Sequence, residues 1–382
     1  MTLKLTKPTL LLNEKRALAN IGKMVEKASR NNVRFRPHFK THQSAEIGQW
    51  FRDSGVTAIT VSSVDMAFYF AGQGWDDITI AIPVNLRQLN EIDSLASRIN
   101  LNVLVESVTA VEALRREVGS PLQLWLKIDV GYHRTGLLWD DFESIVQVAS
   151  CVESANQLRL KGLLTHAGHT YGETSAERIR AIYNQTLERM KVVQFELSQR
   201  GYHVQISVGD TPGCSLVENF GDVDEIRPGN FVFYDLSQVW FGSCQEEDVA
   251  VALACPVISK HPIRNQLVIY GGAIHLSKES LPANSLTNHK VPIYGGICLL
   301  KDDGWSPMFR ASAIVSLSQE HGVIAAEEQL FKSVDVGDLV AVLPVHSCLT
   351  ANLMGCYQTL EGKQIEMMSR NKLSKESFSE FA

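Results

Sequence analysis

Between Val33 and Asp235 one event recurs: a short apolar run rich in β-branched residues ends in glycine or polar residues and yields to a stretch with helical periodicity. The apolar runs fall at 33–40, 57–63, 78–84, 101–106, 124–130, 160–166, 204–209 and 225–234. Helical candidates lie at 13–29, 45–51, 64–71, 86–99, 110–118, 142–153 and 177–199, most of them preceded by Ser, Asn, Asp or Thr, the residues that cap helices. Eight alternating units are what an N-terminal (β/α)8 TIM-type barrel requires. Near-continuous apolar strands fit a parallel sheet covered on both faces, and crossover helices enforce the parallel order. A doubly wound open sheet is the other topology this pattern admits.

After Val249 the texture changes to strand-like runs such as 267–270, 311–318 and 339–343, punctuated by Gly and Pro, with few helical windows. The expected division is a barrel over 13–248 and a β-rich domain over 249–382, with residues 1–12 as a candidate addition to the second. At 45% hydrophobic and 20% charged, 382 residues can bury one large core or two ordinary ones. A net charge of -6 provides no basic stripe for a nucleic acid. No stretch approaches about 18 uninterrupted apolar residues, and residues 1–12 lack a continuous apolar run, so no membrane partner and a cytoplasmic protein are expected. Seven scattered cysteines, Cys151, Cys214, Cys244, Cys255, Cys298, Cys348 and Cys356, do not suggest a disulfide framework.

In such a barrel the reactive groups sit where the strands end. The first run closes with Arg36-Pro37-His38-Phe39-Lys40-Thr41-His42, the fifth with Asp129-Val130-Gly131-Tyr132-His133-Arg134-Thr135-Gly136, and the sixth with Thr165-His166-Ala167-Gly168-His169-Thr170-Tyr171. The seventh closes with Ser207-Val208-Gly209-Asp210-Thr211-Pro212-Gly213, and the eighth carries Arg227-Pro228-Gly229-Asn230. A lysine in the position of Lys40 is expected to be partly desolvated and flanked by cations, both of which favour a nucleophilic amine; from position alone a surface lysine past a strand end is an equal alternative. The turns bearing Gly209, Thr211, Gly229 and Asn230 expose backbone N–H groups that can hold a phosphate, though glycine after a strand is also ordinary turn chemistry. Near the C-terminus, His346 and Cys348 in Pro344-Val345-His346-Ser347-Cys348 follow a strand and form a His-x-Cys pair, read either as metal ligands or as a buried His and Cys.

Taken together these segments resemble the pyridoxal-phosphate enzymes of the alanine racemase fold, and among them the D-serine dehydratase and D-threonine aldolase group. The segment around Lys40 resembles that group's Schiff-base motif, and the segments at Asp129–Gly136, Gly209–Pro212 and Arg227–Asn230 support it. The resemblance implies that Lys40 holds pyridoxal 5′-phosphate and that Arg134 approaches its ring hydroxyl. It further implies that Gly209, Thr211, Gly229, Asn230 and Tyr234 hold phosphate or ring, and that His166 and Tyr171 lie at the rim. Arg227, Thr211 and Tyr171 are alternative partners of the pyridine nitrogen. His346 and Cys348 match the metal-binding pair of the dehydratase branch, so zinc or another divalent ion is expected. Departures are His133, where relatives commonly have glycine, and Tyr270, where many have aspartate.

The reaction implied is removal of water, and then ammonia, from a small D-3-hydroxy amino acid such as D-serine or D-threo-3-hydroxyaspartate, carried out by a homodimer. Cleavage of the Cα–Cβ bond to glycine and an aldehyde is the alternative on the same cofactor. Racemisation would need a second proton donor, for which no convincing motif is present, and a non-catalytic cofactor carrier would have no need of the chain after Val249.

Overall fold

The computed structural model describes residues 4–369. Its residues group into two compact units: one contains Lys23–Lys40 and Gly48–Gly229, the other the chain up to Gly22, Thr41–Ile47 and Asn230–Met367. The chain therefore passes between units at the Lys40–Thr41 and Gly229–Asn230 peptide bonds, beside two of the segments that the sequence marks as chemical.

All eight expected barrel strands form. They are Arg34–Phe35, Ile59–Val61, Asp77–Pro83, Asn100–Val105, Leu122–Asp129, Leu158–Leu164, Gln205–Val208 and Glu225–Ile226. Each pairs in parallel with its successor from the second strand on, and Glu225–Ile226 pairs with Arg34–Phe35. A parallel bridge between His38 and Thr60 closes the ring, with Phe39 N–H donating to Thr60 O at 2.8 Å and Thr60 N–H to Pro37 O at 2.9 Å. Consecutive order and closure rule out the doubly wound open sheet.

The crossover helices start where the caps were expected. Ser63, Ser107, Asp141 and Ser175 accept the N–H groups of Met66, Ala110, Ser144 and Arg178, satisfying donors that the first helical turn leaves without partners. Boundaries differ from the periodicity at several elements; the run at 33–40, for one, is a ladder strand only over Arg34–Phe35 before Pro37 interrupts it. The helix expected at 86–99 is Leu89–Ala96, because the Asn85 side chain accepts the Arg87 N–H at 3.1 Å and spends the preceding residues on a turn. The run at 225–234 is extended only over Glu225–Ile226, since Pro228 has no N–H to continue the ladder and Asn230–Val232 turns into a 3-10 helix.

In the second unit, strands Gln266–Tyr270, His321–Ala325, Ala313–Leu317, Gly295–Lys301, Leu339–Pro344 and Val251–His261 pair antiparallel in that order, and the last pairs back with the first. This is a closed antiparallel barrel. Thr9–Leu12 adds to Val251–His261, and Cys356–Thr359 and Gln364–Glu366 extend the sheet further; Leu10, Leu11 and Leu12 are at most 1% exposed there.

Inside the parallel barrel lies a chain of charges. Arg36 donates through Nη1 to Asp77 Oδ1 at 2.6 Å and through Nε to Glu225 Oε2 at 2.5 Å. Ser207 Oγ donates to Glu225 Oε1 at 2.8 Å and accepts Arg227 Nε at 2.7 Å, while Arg227 also donates to the Thr165 carbonyl. Burial alone would raise Asp77, but Arg36 and Arg34 outweigh it and hold the carboxyl below its ordinary value. Replacing Arg36 by Met strands two buried carboxylates, and we expect a loss of about 3–5 kcal/mol in denaturant unfolding. Asp77 has the lower pKa when folded, so its contribution is complete above its ordinary value near roughly 4 and is lost as pH falls further. Unfolding curves between pH 7 and 3 check this, and a slope that Asp77→Asn leaves unchanged would count against it.

Candidate active site

In the parallel-barrel unit the sequence-selected residues gather at the strand ends. Phe39 is fully buried, its ring centroid 5.1 Å from Phe51, 4.9 Å from Phe70 and 5.2 Å from Trp75. Thr41 is also fully buried, whereas Lys40 between them is exposed. The chain turns over residues 39–42, and the turn buries both neighbours while leaving the lysine outward. The desolvation expected of Lys40 is therefore not supplied by this chain alone.

His166 follows its strand directly and sets Nδ1 2.6 Å from the Gly209 carbonyl. A carbonyl only accepts, so Nδ1 carries the hydrogen and Nε2 the lone pair. Burial, reinforced by Lys40, Arg134 and Arg227, pushes His166 down to about 3, leaving a neutral imidazole among cations. The Tyr132 ring stands edge-on to it with centroids 5.9 Å apart, and the Tyr171 ring lies 6.1 Å away.

The glycine turn after the seventh strand is a tight fit, because a Cβ on Gly209 would come within 2.9 Å of the Arg227 backbone. Thr211 N–H donates to Tyr171 Oη at 3.2 Å, and Thr211 Oγ1 is buried with no hydrogen-bond partner. A buried hydroxyl of this kind calls for a polar ligand. Asp210 between them takes Thr170 Oγ1 at 3.0 Å and Gly213 N–H at 2.5 Å, and burial pushes it up to about 6. Thr211, Tyr171 and the Gly209 turn thus fit a phosphate, and Gly229 lies buried in the neighbouring turn after Arg227.

Arg134 stands on an exposed loop with its guanidinium 5.0 Å above the Tyr132 ring. Asp129 Oδ1 organises that loop by accepting the N–H groups of Gly131, Tyr132 and His133 at 2.8, 3.0 and 3.1 Å. His133 has φ 56°, a left-handed backbone that glycine adopts without cost, and its Nδ1 lies 3.3 Å from Asp129 Oδ2. Sequence reading passed over Lys127, which is 6% exposed, donates to Ile128 O at 2.9 Å and is pushed down to about 8 by burial and by Arg227. The available signal was a lysine inside the apolar run Leu124-Trp125-Leu126-Lys127-Ile128.

In the antiparallel-barrel unit, His346 and Cys348 follow strand Leu339–Pro344 but straddle the start of helix Ser347–Met354, with His346 at its N-cap. Burial alone would lower His346, but the Cys348 sulfur and Asp235 outweigh it and bring the imidazole up to about 9. Asp235 Oδ2 accepts Ser347 N–H at 2.9 Å and Asn230 Nδ2 at 2.7 Å. Asn230 also reaches Ser347 Oγ at 3.0 Å and Cys348 Sγ at 3.5 Å, so its amide serves this pair. Tyr234, buried with φ 48°, donates its N–H to Asn230 O at 2.8 Å. Among the described residues no third His, Cys, Asp or Glu completes a metal cluster. Two adjacent N and S donors fit an ion that keeps open positions for water or substrate, as catalytic zinc does, rather than a closed structural site.

The neutral state of His166 has a thermodynamic signature. A histidine whose folded pKa is depressed binds its proton only on unfolding, so stability falls as pH drops from about 6.5 toward 4, by about 1 kcal/mol per pH unit. We expect His166→Asn to flatten that dependence in urea unfolding series; an unchanged slope would show that His166 is protonated in the fold.

Comparison with known proteins agrees with this geometry. The D-threo-3-hydroxyaspartate dehydratase of Delftia sp. is 29% identical over 370 residues, covering 94% of this chain and 95% of that protein. Its solved structure has a TM-score of 0.88 at 27% identity, over 96% of this chain and 98% of that one, and a cysteine-to-alanine variant has been solved in the metal-free form. The D-serine dehydratase of Dictyostelium discoideum is 29% identical over 383 residues, covering 93% of each chain. Residues 250–360 match the family described as "Putative serine dehydratase domain". Residues 12–237, more than half of the sequence, match the family described as "Alanine racemase, N-terminal domain", and the chain belongs to that family.

Proposed function

We propose that this chain is a pyridoxal-phosphate- and metal-dependent lyase that removes water, and then ammonia, from a small D-3-hydroxy amino acid such as D-serine or D-threo-3-hydroxyaspartate. The observation that carries the reading is the pairing of chemistries in one chain: a lysine past a strand end together with a phosphate-type cradle whose Thr211 hydroxyl lacks a partner, and a His346–Cys348 pair at a helix start. Dehydratase relatives that align over nearly the whole chain support it.

When bound, pyridoxal phosphate supplies an electron sink for the α-carbon and the divalent ion, in our reading zinc, a Lewis acid for the leaving hydroxyl. The chain does the rest. Lys40 would hold the cofactor, and its amine would be the base that takes the substrate's α-proton. Thr211, Tyr171 and the turns at Gly209 and Gly229 would hold the phosphate, and Arg134 would serve the ring hydroxyl. Neutral His166 presents its Nε2 lone pair at the rim without competing for the proton held on Lys40. Arg227, held by Ser207 and Thr165, would offer the cofactor a fixed positive charge. His346 and Cys348 hold the metal, and Asn230 fixes the Cys348 side.

We also propose a cytoplasmic homodimer. Lys40, Tyr132 and Arg134 stand exposed on the single chain, which supports a second copy that shields them. No helix among the described residues is long and apolar enough to cross a membrane.

Purified protein carrying both cofactors is expected to convert D-serine, D-threonine or D-threo-3-hydroxyaspartate to ammonia and a 2-oxo acid. Lys40→Ala should lower the rate roughly a thousandfold or more. Release of glycine and an aldehyde instead would move the assignment to aldol cleavage. Chelation, or Cys348→Ala, should abolish elimination while the cofactor stays bound, with zinc restoring only the wild type; full turnover after chelation would remove the metal from the mechanism.

A further inference from the structure

The residue after the cofactor lysine is tied to the metal pair. Thr41 is fully buried, and its hydroxyl lies 3.2 Å from Cys348 Sγ. The next two residues are held by the same region. The His42 carbonyl accepts Tyr357 Oη–H at 2.9 Å, and Gln43 Nε2 donates to Asn352 Oδ1 at 3.3 Å on the helix that begins beside Cys348. Thr41–Ile47 accordingly packs as part of the antiparallel-barrel unit although its neighbours in sequence, Lys40 and Gly48, belong to the other. Three successive residues anchor one end of the peptide bond that carries Lys40.

We propose that Thr41 is a positioning residue that couples occupancy of the His346–Cys348 pair to the set of Lys40, so that metal binding is felt at the cofactor. The inference rests on the function proposed above. Its physical basis is short. A thiol can donate or accept, but a metal-bound sulfur only accepts, so the Thr41 hydroxyl must then donate to Cys348 and the contact tightens into a charge-assisted bond. Thr41 and Lys40 share one planar peptide unit, so a displacement of buried Thr41 bears directly on the Lys40 backbone. Its effect is on where the lysine stands, and hence on the electronic environment of the cofactor it holds.

The test uses the full-length protein loaded with pyridoxal phosphate, stripped of metal by chelation and titrated with zinc, with bound zinc measured by equilibrium dialysis. Absorbance and circular dichroism of the cofactor's long-wavelength band are recorded at each point. In the wild type the band should shift and saturate together with zinc binding. Thr41→Val should bind zinc about tenfold more weakly and show no shift at saturation, whereas Thr41→Ser, which keeps the hydroxyl, should restore both. A wild-type band unchanged at saturating zinc overturns the coupling, and so does a full shift in Thr41→Val. A protein that takes up no zinc, or has no band dependent on Lys40, overturns both the coupling and the functional reading beneath it.

Discussion

Everything at the barrel mouth depends on a buried line of charge running through the barrel interior. Asp77, Arg36, Glu225, Ser207 and Arg227 are joined donor to acceptor without a gap, and Arg36 and Glu225 are 1% and 3% exposed. Burying such groups is costly unless every one is paired, so the network tolerates one arrangement of the strands that carry it. Those are the first, third, seventh and eighth strands or the residues beside them. Fixing them fixes Arg227 against Thr165 and Gly209, and fixes the short stretch from Arg36 to Lys40.

Around that frame, the site is built from residues that balance one another's charge. His166 is kept neutral by burial and by three cations, and Asp210 is raised by burial to about 6 while it caps the turn holding Thr211. Asp129 goes the other way, its burial outweighed by backbone donors, and it spends its charge shaping the loop that carries Arg134. The result is a region with an excess of positive charge and a buried hydroxyl lacking a partner, suited to an anionic ligand. In the second unit Asp235 and Asn230 support a thiol and an imidazole set at the start of one helix.

The comparison of sequence with structure is instructive at particular places. The eight strands and four of the helix caps were legible because alternation of apolar runs with capped periodic segments is a local property. Lys40, His166, Gly209, Thr211 and Arg227 were legible because chemistry at strand ends can be located once the strands are. Lys127 was not, since nothing local distinguishes a lysine pointing into the barrel from one pointing to solvent. Asn230 falls in the turn after Gly229, as its place in the sequence suggests, but that its side chain would reach Asp235, Ser347 and Cys348, the last two more than a hundred positions later, was not legible.

The sequence by itself therefore determined the order of elements, the barrel class, and the places of Lys40 and of the His-x-Cys pair relative to the strand ends, all of which depend on spacing within a few residues. Only the tertiary structure decided ring closure through His38 and Thr60, the tautomer of neutral His166, the orphaned hydroxyl of Thr211, and the bond from Thr41 to Cys348. The reason is physical: burial and hydrogen-bond partnership are set by groups distant in the chain, so the energies that tune a site appear only when the fold brings those groups together.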